Sequence, residues 1–213
     1  MADALSTIRS RIKLRLGNKE GIDATITKNI NEAILHLIRS FRPQEMWATA
    51  SFNTVANTAA YTFSTMSATN IYAILMVRNT TSDIEIKRGG MRQFNRLKQD
   101  TSVTSTTGRP NRWTRQGNTF ILYNRIPDAV YAVKVTYLKR PAALSLDADT
   151  FPLNDEWQRP ADTYATYLSW IDLNVSDKAA AELEIFNNLM STFDKPEAIE
   201  DEAPEAGFNF GGM

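Results

Sequence analysis

The sequence has no cysteine and a single histidine among its 213 residues. The missing cysteines exclude disulfide bonds and thiolate catalysis, and they leave the redox compartment unspecified. A reactive serine or threonine usually needs a base such as histidine. The one histidine, His36, lies between Leu35 and Leu37 in a stretch with helical periodicity, and we interpret it as a packing residue. Nothing here predicts nucleophilic catalysis.

Motifs for phosphate and metal binding are missing as well. The chain contains neither GxxxxGK[ST] nor GxGxxG, and Gly89-Gly90 alone indicates a hinge or a helix start. Residues 172–177 lack the spacing of a calcium loop. The neighbours Asp155 and Glu156 would point about 100° apart on a helix, so they cannot converge unaided. We predict that the protein is not an enzyme and binds no metal or cofactor.

Long hydrophobic runs are also absent. No apolar stretch approaches the ~20 residues of a membrane-spanning helix. The N-terminal segment, MADALSTIRSRIKLRLG, has charges scattered through it and lacks the uninterrupted apolar core of a secretory signal. Hydrophobic residues make up 43% and charged residues 23% of the chain, as in ordinary globular proteins. We expect no membrane partner.

Charge is balanced in total but not along the chain. Residues 1–140 hold 21 Lys/Arg and 9 Asp/Glu, a net of +12, whereas residues 141–213 hold 3 and 15, a net of −12. The asymmetry has three interpretations. It indicates a nucleic-acid partner, or contact between the basic part of one copy and the acidic part of the next, which closes into a ring. The third interpretation is two solvated surfaces that merely differ.

Two helices are predicted near the N-terminus, over residues 3–16 and 23–41. In each, large apolar residues recur every three or four positions and form one stripe. The stripes are Leu5, Ile8, Ile12 and Leu16 in the first helix and Ile26, Ile30, Ile34, Leu37 and Phe41 in the second. The bases that flank the first stripe are Arg9, Arg11, Lys13 and Arg15. These bases indicate one of two arrangements. Either they bind phosphate, or their aliphatic portions lie along the buried stripe and their charged groups lie in water.

A helical hairpin is predicted after a linker at residues 141–152. Its seams are Trp157, Ala161, Tyr164, Leu168, Ile171 and Val175, then Ala179, Leu183, Phe186, Met190 and Phe193. Asn154 and Ser176-Asp177 are interpreted as helix caps, and Pro160 either kinks the first helix or marks its start. Residues 195–213 are acidic and then glycine-rich, so we expect disorder in the free chain.

The middle of the chain has the pattern of a β region. Residues 47–63 carry no charge. Strands are predicted at residues 71–77, 83–87, 111–115, 119–125 and 129–138, with a short basic helix at 91–99 and a loop at 100–107. Gly117-Asn118 and Pro127-Asp128 supply turns. In the last strand Tyr131, Val133, Val135 and Tyr137 face one way, and Lys134 and Thr136 face the other.

The predicted fold class is α+β. N- and C-terminal helices form a helical bundle, with an inserted antiparallel β lobe and a flexible C-terminal tail, because helices at both ends most economically share one core. The bundle comprises residues 1–44 and 153–194, and the β lobe with its short helix and linker comprises residues 45–152. The tail comprises residues 195–213.

A nucleic-acid-binding function is the rival interpretation. Between Lys87 and Arg140 there are 12 basic and 2 acidic residues. The aromatic residues among them are Trp113, Phe120, Tyr123, Tyr131 and Tyr137. Aromatic residues among bases form stacking surfaces in single-strand binders, although at alternate strand positions they also indicate a core. A nucleic-acid-binding protein that uses the basic β lobe is therefore the alternative function.

An ordered set of residues carries a family resemblance. The set is Gly108-Arg109-Pro110, Trp113, Pro127-Asp128, Tyr131, Tyr137, Arg140-Pro141 and, further on, Phe151-Pro152-Leu153-Asn154-Asp155-Glu156-Trp157. Over about residues 108–175 the chain resembles the head-to-tail adaptor (connector) proteins of tailed bacteriophages. The N-terminal helices agree with that family in type.

The resemblance implies a structural virion protein without catalysis. Such adaptors form a homo-oligomeric ring, commonly of about twelve copies, and a closed ring needs heterologous contacts. The ring docks below the portal protein, surrounds the DNA exit channel and offers its lower face to the next tail or nozzle protein. The DNA passes through without sequence recognition. The implied location is the head–tail neck of the virion, after synthesis in the host cytoplasm.

Two candidate contact sites follow from the resemblance and the charges. The C-terminal segment of such adaptors commonly reaches the portal, so Phe208 and Phe210 are the candidate portal-binding anchors. Arg109, Arg112 and Arg115 are the candidates for the ring interface or the DNA channel. Acidic residues in the C-terminal half of a neighbouring copy would meet these arginines.

Overall fold

The structure, a computed structural model, describes residues 3–90, 92–95 and 106–193. These residues divide into two compact units. One comprises residues 3–47 and 140–193 and is called the helical unit; the other comprises residues 48–139 and is called the β unit. The chain is therefore a mixed α+β protein, as the sequence predicts.

Four α-helices form most of the helical unit. They are α1 (Leu5–Arg15), α2 (Asp23–Phe41), α3 (Gln158–Asp172) and α4 (Ser176–Met190). Short 3-10 turns at Gln44–Met46 and Asp155–Trp157 follow α2 and precede α3. The prediction for the second helix is confirmed at both ends, and the first helix is one or two residues shorter at each end than predicted.

The two N-terminal apolar stripes form the buried core of α1 and α2. All four stripe residues of the first helix are fully buried, and in the second helix only Phe41, at the C-terminal end, is partly exposed. Burying one side chain of this size stabilises the fold by about 1.5–3 kcal/mol. The periodicity in the sequence therefore identified this part of the core.

The buried face of α3 follows the predicted seam only in part. Trp157, just before α3, and Ala161 are buried as predicted, but Ile171 is 47% exposed and Leu168 is half-buried. The other buried residues of α3 include small and hydroxyl side chains, Ala165, Thr163, Thr166 and Ser169, beside Asp162 and Trp170. Thr166 and Ser169 donate to the backbone carbonyls four residues earlier at 2.7 and 2.8 Å, and Ser169 Oγ also accepts from Asn29 Nδ2 of α2 at 3.1 Å. A hydrophobicity pattern cannot recognise such a face.

One of the two predicted helix caps is wrong. Asn154 is the N-cap residue of the 3-10 turn that leads into α3, although its side chain makes no capping hydrogen bond; its backbone N–H donates to Glu45 Oε1 at 3.1 Å. Ser176 is the first residue of α4 rather than its cap, which is Val175. Pro160 lies in the first turn of α3, where a backbone N–H has no intrahelical partner, so proline is tolerated there.

The segment 141–152 is joined to the helices by paired hydrogen bonds. The Phe151 N–H donates to the Asp3 carbonyl at 3.0 Å. The side chain of Asn31 on α2 makes two hydrogen bonds to the backbone of Leu144. Its Nδ2 donates to the Leu144 carbonyl at 3.0 Å, and its Oδ1 accepts from the Leu144 N–H at 2.8 Å. This segment consequently belongs to the helical unit, whereas the sequence assigned it to the β lobe.

Eight strands build two four-stranded sheets in the β unit. The strands are β1 (Trp47–Asn53), β2 (Ala60–Thr62), β3 (Ile71–Asn79), β4 (Ile84–Glu85), β5 (Lys87–Arg88), β6 (Arg112–Gln116), β7 (Thr119–Tyr123) and β8 (Ala132–Lys139). The strand orders are β1-β8-β3-β4 and β2-β7-β6-β5. One apolar cluster draws residues from both sheets, so the sheets share a core.

The antiparallel hairpin of β6 and β7 confirms the predicted turn. Gly117 has a φ of 57°, a left-handed conformation that glycine adopts without strain. In β8 the predicted alternation holds for Val133, Val135 and Tyr137, which are buried, and for Lys134, which is exposed. The apolar face of β8 therefore packs into the shared core.

The strand predicted at residues 83–87 is two separate strands in different sheets. β4 pairs with β3 in one sheet, and β5 pairs with β6 in the other, in parallel. Between them Ile86 is 1% exposed, and its N–H donates to the Val77 carbonyl at 2.9 Å. The chain therefore crosses from sheet to sheet at Ile86, because that side chain fills the core between them.

A short helical turn covers the outer face of the second sheet. Of the helix predicted at residues 91–99, the structure describes 92–95 as helical. Phe94 packs edge-on against Tyr123, with ring centroids 5.6 Å apart. Gly89 lies against the same tyrosine, since a Cβ built there would be 2.6 Å from Tyr123 Cζ. The close approach requires glycine at this position.

We predict that Gly89→Ala destabilises the protein by about 1–3 kcal/mol, the usual cost of overpacking. The added methyl group overlaps the ring of Tyr123, which is buried and cannot swing away. Gly90→Ala is the matched control, because nothing lies within 4 Å of a Cβ there. Urea denaturation of both variants measures the difference. Equal stability of the two variants would contradict the packing argument.

Candidate assembly interface

The bases of α1 are paired with carboxylates of the helical unit. Arg9 pairs with Asp147, Arg11 with Asp3 and Asp162, Lys13 with Asp23, and Arg15 with Glu182. The Arg11 Nε–Asp162 Oδ2 distance is 2.8 Å and the Arg15 Nη1–Glu182 Oε2 distance is 3.8 Å. The phosphate-binding interpretation of these bases is therefore unsupported. The alternative interpretation placed the charged groups of these side chains in water, whereas in the structure they pair with carboxylates.

The pair of Arg11 and Asp162 is the most buried of these contacts. Burial raises the pKa of Asp162 above its ordinary value, and the hydrogen bond and charge of Arg11 oppose that rise only in part. For Arg11, burial would lower the pKa, but the hydrogen bonds to Asp162 and Asp3 outweigh it and the pKa is raised. Asp162 Oδ1 has no hydrogen-bond partner within the described part of the chain. The carboxylate therefore has an incompletely compensated charge.

These ion pairs neutralise, within one chain, part of the charge difference between residues 1–140 and 141–213. Asp147, Asp162 and Glu182 belong to the acidic part of the sequence, yet each meets a base of α1 in its own chain. The excess positive charge that remains lies in residues 48–139, with 12 Lys/Arg and 4 Asp/Glu, a net of +8. Residues 194–213 hold 6 acids and 1 lysine, a net of −5. The β unit is thus the basic surface of the protein.

Arg115, one of the three candidate arginines, is tied into the fold of the β unit. Its Nε donates to the Gly117 carbonyl at 2.9 Å, and its Nη1 donates to the Tyr72 carbonyl at 3.3 Å. The guanidinium lies 5.0 Å from the ring centroid of Phe63. Burial, followed by the charge of Arg88, lowers the pKa of Arg115. This side chain supports the sheet and caps a carbonyl of β3.

Arg112 lies on the opposite face of β6 from Arg115. The two residues are three apart in a regular strand, and side chains alternate between faces. Arg112 pairs in register with Lys87 of β5, so the two basic side chains share a face about 4.8 Å apart at the backbone. Lys87 is a candidate contact residue that the sequence did not predict. Its position depends on the parallel pairing of β5 with β6, for which the local sequence has no pattern.

Arg109 is exposed near the turn that precedes β8. In that turn the Tyr131 hydroxyl donates to Asp128 Oδ1 at 2.7 Å, and this bond raises the pKa of Tyr131 while the charge of Arg109 opposes the rise. Among the described residues no ion pair includes Arg109, Arg112 or Lys87. Two of the three predicted arginines are thus available to a partner, and they do not share one patch with Arg115.

The aromatic residues of the β unit do not form a stacking surface. Trp113, Phe120, Tyr123 and Tyr137 are at most 5% exposed, and Trp113 stacks on Phe120 with ring centroids 5.4 Å apart. Only Tyr131 of the predicted set is partly exposed. A base cannot reach rings buried in this way. The basic charge of the β unit still favours nucleic-acid binding, but the buried aromatic rings cannot stack on bases.

No catalytic arrangement is found in the described ranges. His36 stacks on Tyr164 with ring centroids 4.2 Å apart, and burial, followed by the charge of Arg39, lowers the pKa of the imidazole. His36 is consequently a neutral packing residue near pH 7. Across residues 3–90, 92–95 and 106–193, no three metal-ligating side chains converge.

The described helices include none that is long and apolar enough to cross a membrane. Phe208 and Phe210, the predicted portal anchors, lie outside the described residues, and their role stays a prediction.

We predict that Asp162→Asn gains stability relative to the wild-type protein as pH rises from 4 to 7. The folded pKa of Asp162 is raised, so its stabilising contribution is present at low pH and is lost as pH rises through the folded value. Urea denaturation at the two pH values measures the change. Asp147→Asn, at a 73% exposed partner of Arg9, is the control. A pH-independent difference between wild type and Asp162→Asn would refute the prediction.

Comparison with known proteins identifies the family. The chain matches the family described as SU10 adaptor protein over residues 3–206, which is nearly its whole length. A search of curated proteins finds no match. Membership implies a structural bacteriophage protein that assembles with head and tail components at the neck of the virion. The chain thus belongs to the SU10 adaptor protein family, which is consistent with a head-to-tail adaptor of a tailed bacteriophage.

Proposed function

We propose that the protein forms a homo-oligomeric ring that joins the portal protein to the tail and lines the DNA exit channel. The ring has about twelve copies, held by heterologous contacts between adjacent protomers. Its upper side meets the portal and its lower side meets the next tail or nozzle protein. The protein is made in the host cytoplasm and functions in the virion without catalysis.

The uneven distribution of unpaired charge carries this proposal. In the β unit, the exposed Arg109 and Lys87 and the half-buried Arg112 are among the bases that have no acidic partner within the described residues. Exposed acids of the helical unit that lack an ion pair in the same ranges include Glu156, Asp177 and Glu184. Contact between the basic surface of one copy and the acidic surface of the next uses different patches on the two partners. Such a contact generates a ring when the rotation closes.

The strength of these contacts explains how assembly is controlled. An exposed ion pair contributes about 0.2–1 kcal/mol and is screened by salt. A free protomer therefore gains little from one neighbour, and the ring needs a preassembled portal as a template. In the channel, the remaining bases attract the DNA backbone without reading its sequence.

Native mass spectrometry of the chain, alone and with its cognate portal ring, tests the proposal. Many copies bound per portal ring support it, whether or not the free chain is monomeric. A chain that ignores the portal but binds duplex DNA with steep salt dependence would replace the proposal with the nucleic-acid alternative.

Deletion of residues 196–213 is predicted to leave the fold intact and to abolish portal binding. The deleted segment carries Phe208 and Phe210, the proposed anchors, and lies outside both described units. Circular dichroism checks the fold, and co-sedimentation with the portal ring measures binding. In the full chain, Phe208→Ala with Phe210→Ala should weaken binding strongly, while Asn209→Ala between them is the control. Wild-type binding by the deleted chain would remove the tail from the interface.

Charge reversal at Arg109 and Arg112 is predicted to prevent ring formation without unfolding the chain. Both side chains lack an ion pair within the described ranges, so their loss costs little internal stability. The midpoint concentration for assembly on the portal should rise at least about tenfold, equivalent to 1.4 kcal/mol per interface. Analytical ultracentrifugation measures it.

Arg115→Glu is the comparison variant for this test. It should destabilise the β unit, because Arg115 caps two carbonyls and packs on Phe63. If the double reversal of Arg109 and Arg112 assembles like wild type, these arginines do not form the ring interface.

A further inference from the structure

Three aromatic rings meet where the last described helix ends. Phe41 comes from the C-terminal end of α2, Trp157 from the 3-10 turn before α3, and Phe193 from the residues that follow α4. The ring centroids of Trp157 and Phe193 are 4.5 Å apart, those of Phe41 and Trp157 are 5.9 Å apart, and those of Phe41 and Phe193 are 6.5 Å apart. Each ring therefore contacts the other two.

Phe193 adds the last contact before the C-terminal tail. Its backbone N–H donates to the Met190 carbonyl at 3.2 Å, which closes the end of α4. Trp157 is buried and its indole N–H has no acceptor within the described residues. Aromatic pairs of this kind contribute about 0.5–1.5 kcal/mol beyond the area they bury. The contact is strong enough to hold a helix end that would otherwise fray.

We infer that Phe193 is the positioning residue for the tail, because its ring contact with Trp157 and Phe41 fixes the point from which residues 194–213 leave the helical unit. The inference rests on the proposed function, in which Phe208 and Phe210 bind the portal. Residues 194–213 hold six acids and one lysine, and like charges oppose compact packing of the segment on itself. A fixed starting point therefore determines where its anchors are presented.

The proposed anchors are close enough to Phe193 along the chain for its position to affect where they are presented. Phe208 is 15 residues beyond Phe193. A random-coil chain of 15 residues, the behaviour that the acidic, glycine-rich sequence predicts, has an end-to-end distance of about 20 Å. Loss of the ring contact frees the last turn of α4 and enlarges the volume that the anchors explore. The effective concentration of the anchors at the portal falls as that volume grows. In a ring, Phe193 must occupy the same position in every copy, so that the anchors of each copy reach their own site on the portal.

The experiment compares Phe193→Ala, Phe193→Trp and Asn188→Ala in the full-length chain. Phe193→Ala should weaken binding to the cognate portal ring about twofold to twelvefold, the range equivalent to one aromatic contact. Phe193→Trp keeps an aromatic ring and should restore binding. Asn188→Ala, exposed on the same helix, should bind like wild type. Hydrogen exchange at residues 189–193 should rise only in Phe193→Ala.

A synthetic peptide of residues 194–213 separates positioning from direct contact. Its affinity for the portal ring contains no contribution from Phe193, so it sets the level towards which Phe193→Ala should fall. If Phe193→Ala fails to fold, Phe193→Leu keeps the apolar volume without the ring and replaces it in every comparison.

The outcomes separate this inference from the proposed function. If the chain without residues 196–213 does not bind the portal, and Phe193→Ala binds like wild type, the inference is overturned and the proposed function stands. If the chain without residues 196–213 binds normally, both the tail contact and the positioning role are wrong. Unchanged hydrogen exchange at residues 189–193 in Phe193→Ala would also overturn the inference, because the ring contact would not be holding the helix end.

Discussion

The ion pair of Arg11 and Asp162 joins two parts of the chain that are 151 residues apart. It brings α1 onto the buried face of α3, so two helices from opposite ends of the sequence pack together within the helical unit. Closing so long a loop costs only slightly more than closing a short one, because the entropic cost grows with the logarithm of loop length. Breaking the pair is a different matter, since removing one partner leaves a buried charge uncompensated. An insertion of this size is compatible with stability as long as the pair persists.

This internal pairing also determines which charges can reach a partner. A sequence with +12 and −12 halves suggests that all the basic part of one copy can meet all the acidic part of the next. Three of the four α1 bases instead meet acids from residues 141–213 of the same chain, and these ion pairs leave the β unit as the basic surface. The proposed ring therefore depends on the exposed bases of the β unit. Contacts between copies would be weak, because exposed ion pairs are screened by salt.

Periodicity predicted the parts of the fold in which large apolar residues decide the packing. The bounds of α2, the stripe of α1 and the hairpin turn at Gly117 follow from local patterns that the structure retains. The inward face of α3 could not be predicted, because close helix packing selects small residues there and hydrophobicity gives them little weight. The change of sheet at Ile86 and the position of Lys87 beside Arg112 depend on long-range strand pairing. A single sequence does not contain that information in local form.

The role of the candidate contact residues stays a prediction, but strand alternation shows that they do not form the single cluster that the sequence suggests. Arg112 and Arg115 are three residues apart, so a strand places them on opposite faces, although in the sequence they read as one basic cluster. Arg115 is held by two carbonyls and the ring of Phe63, whereas Arg112 shares its face with Lys87. The basic surface proposed to meet a neighbour or DNA therefore draws on β5 and β6 together. It exists only after the chain has crossed at Ile86, so the same core residue that joins the sheets also creates the basic surface.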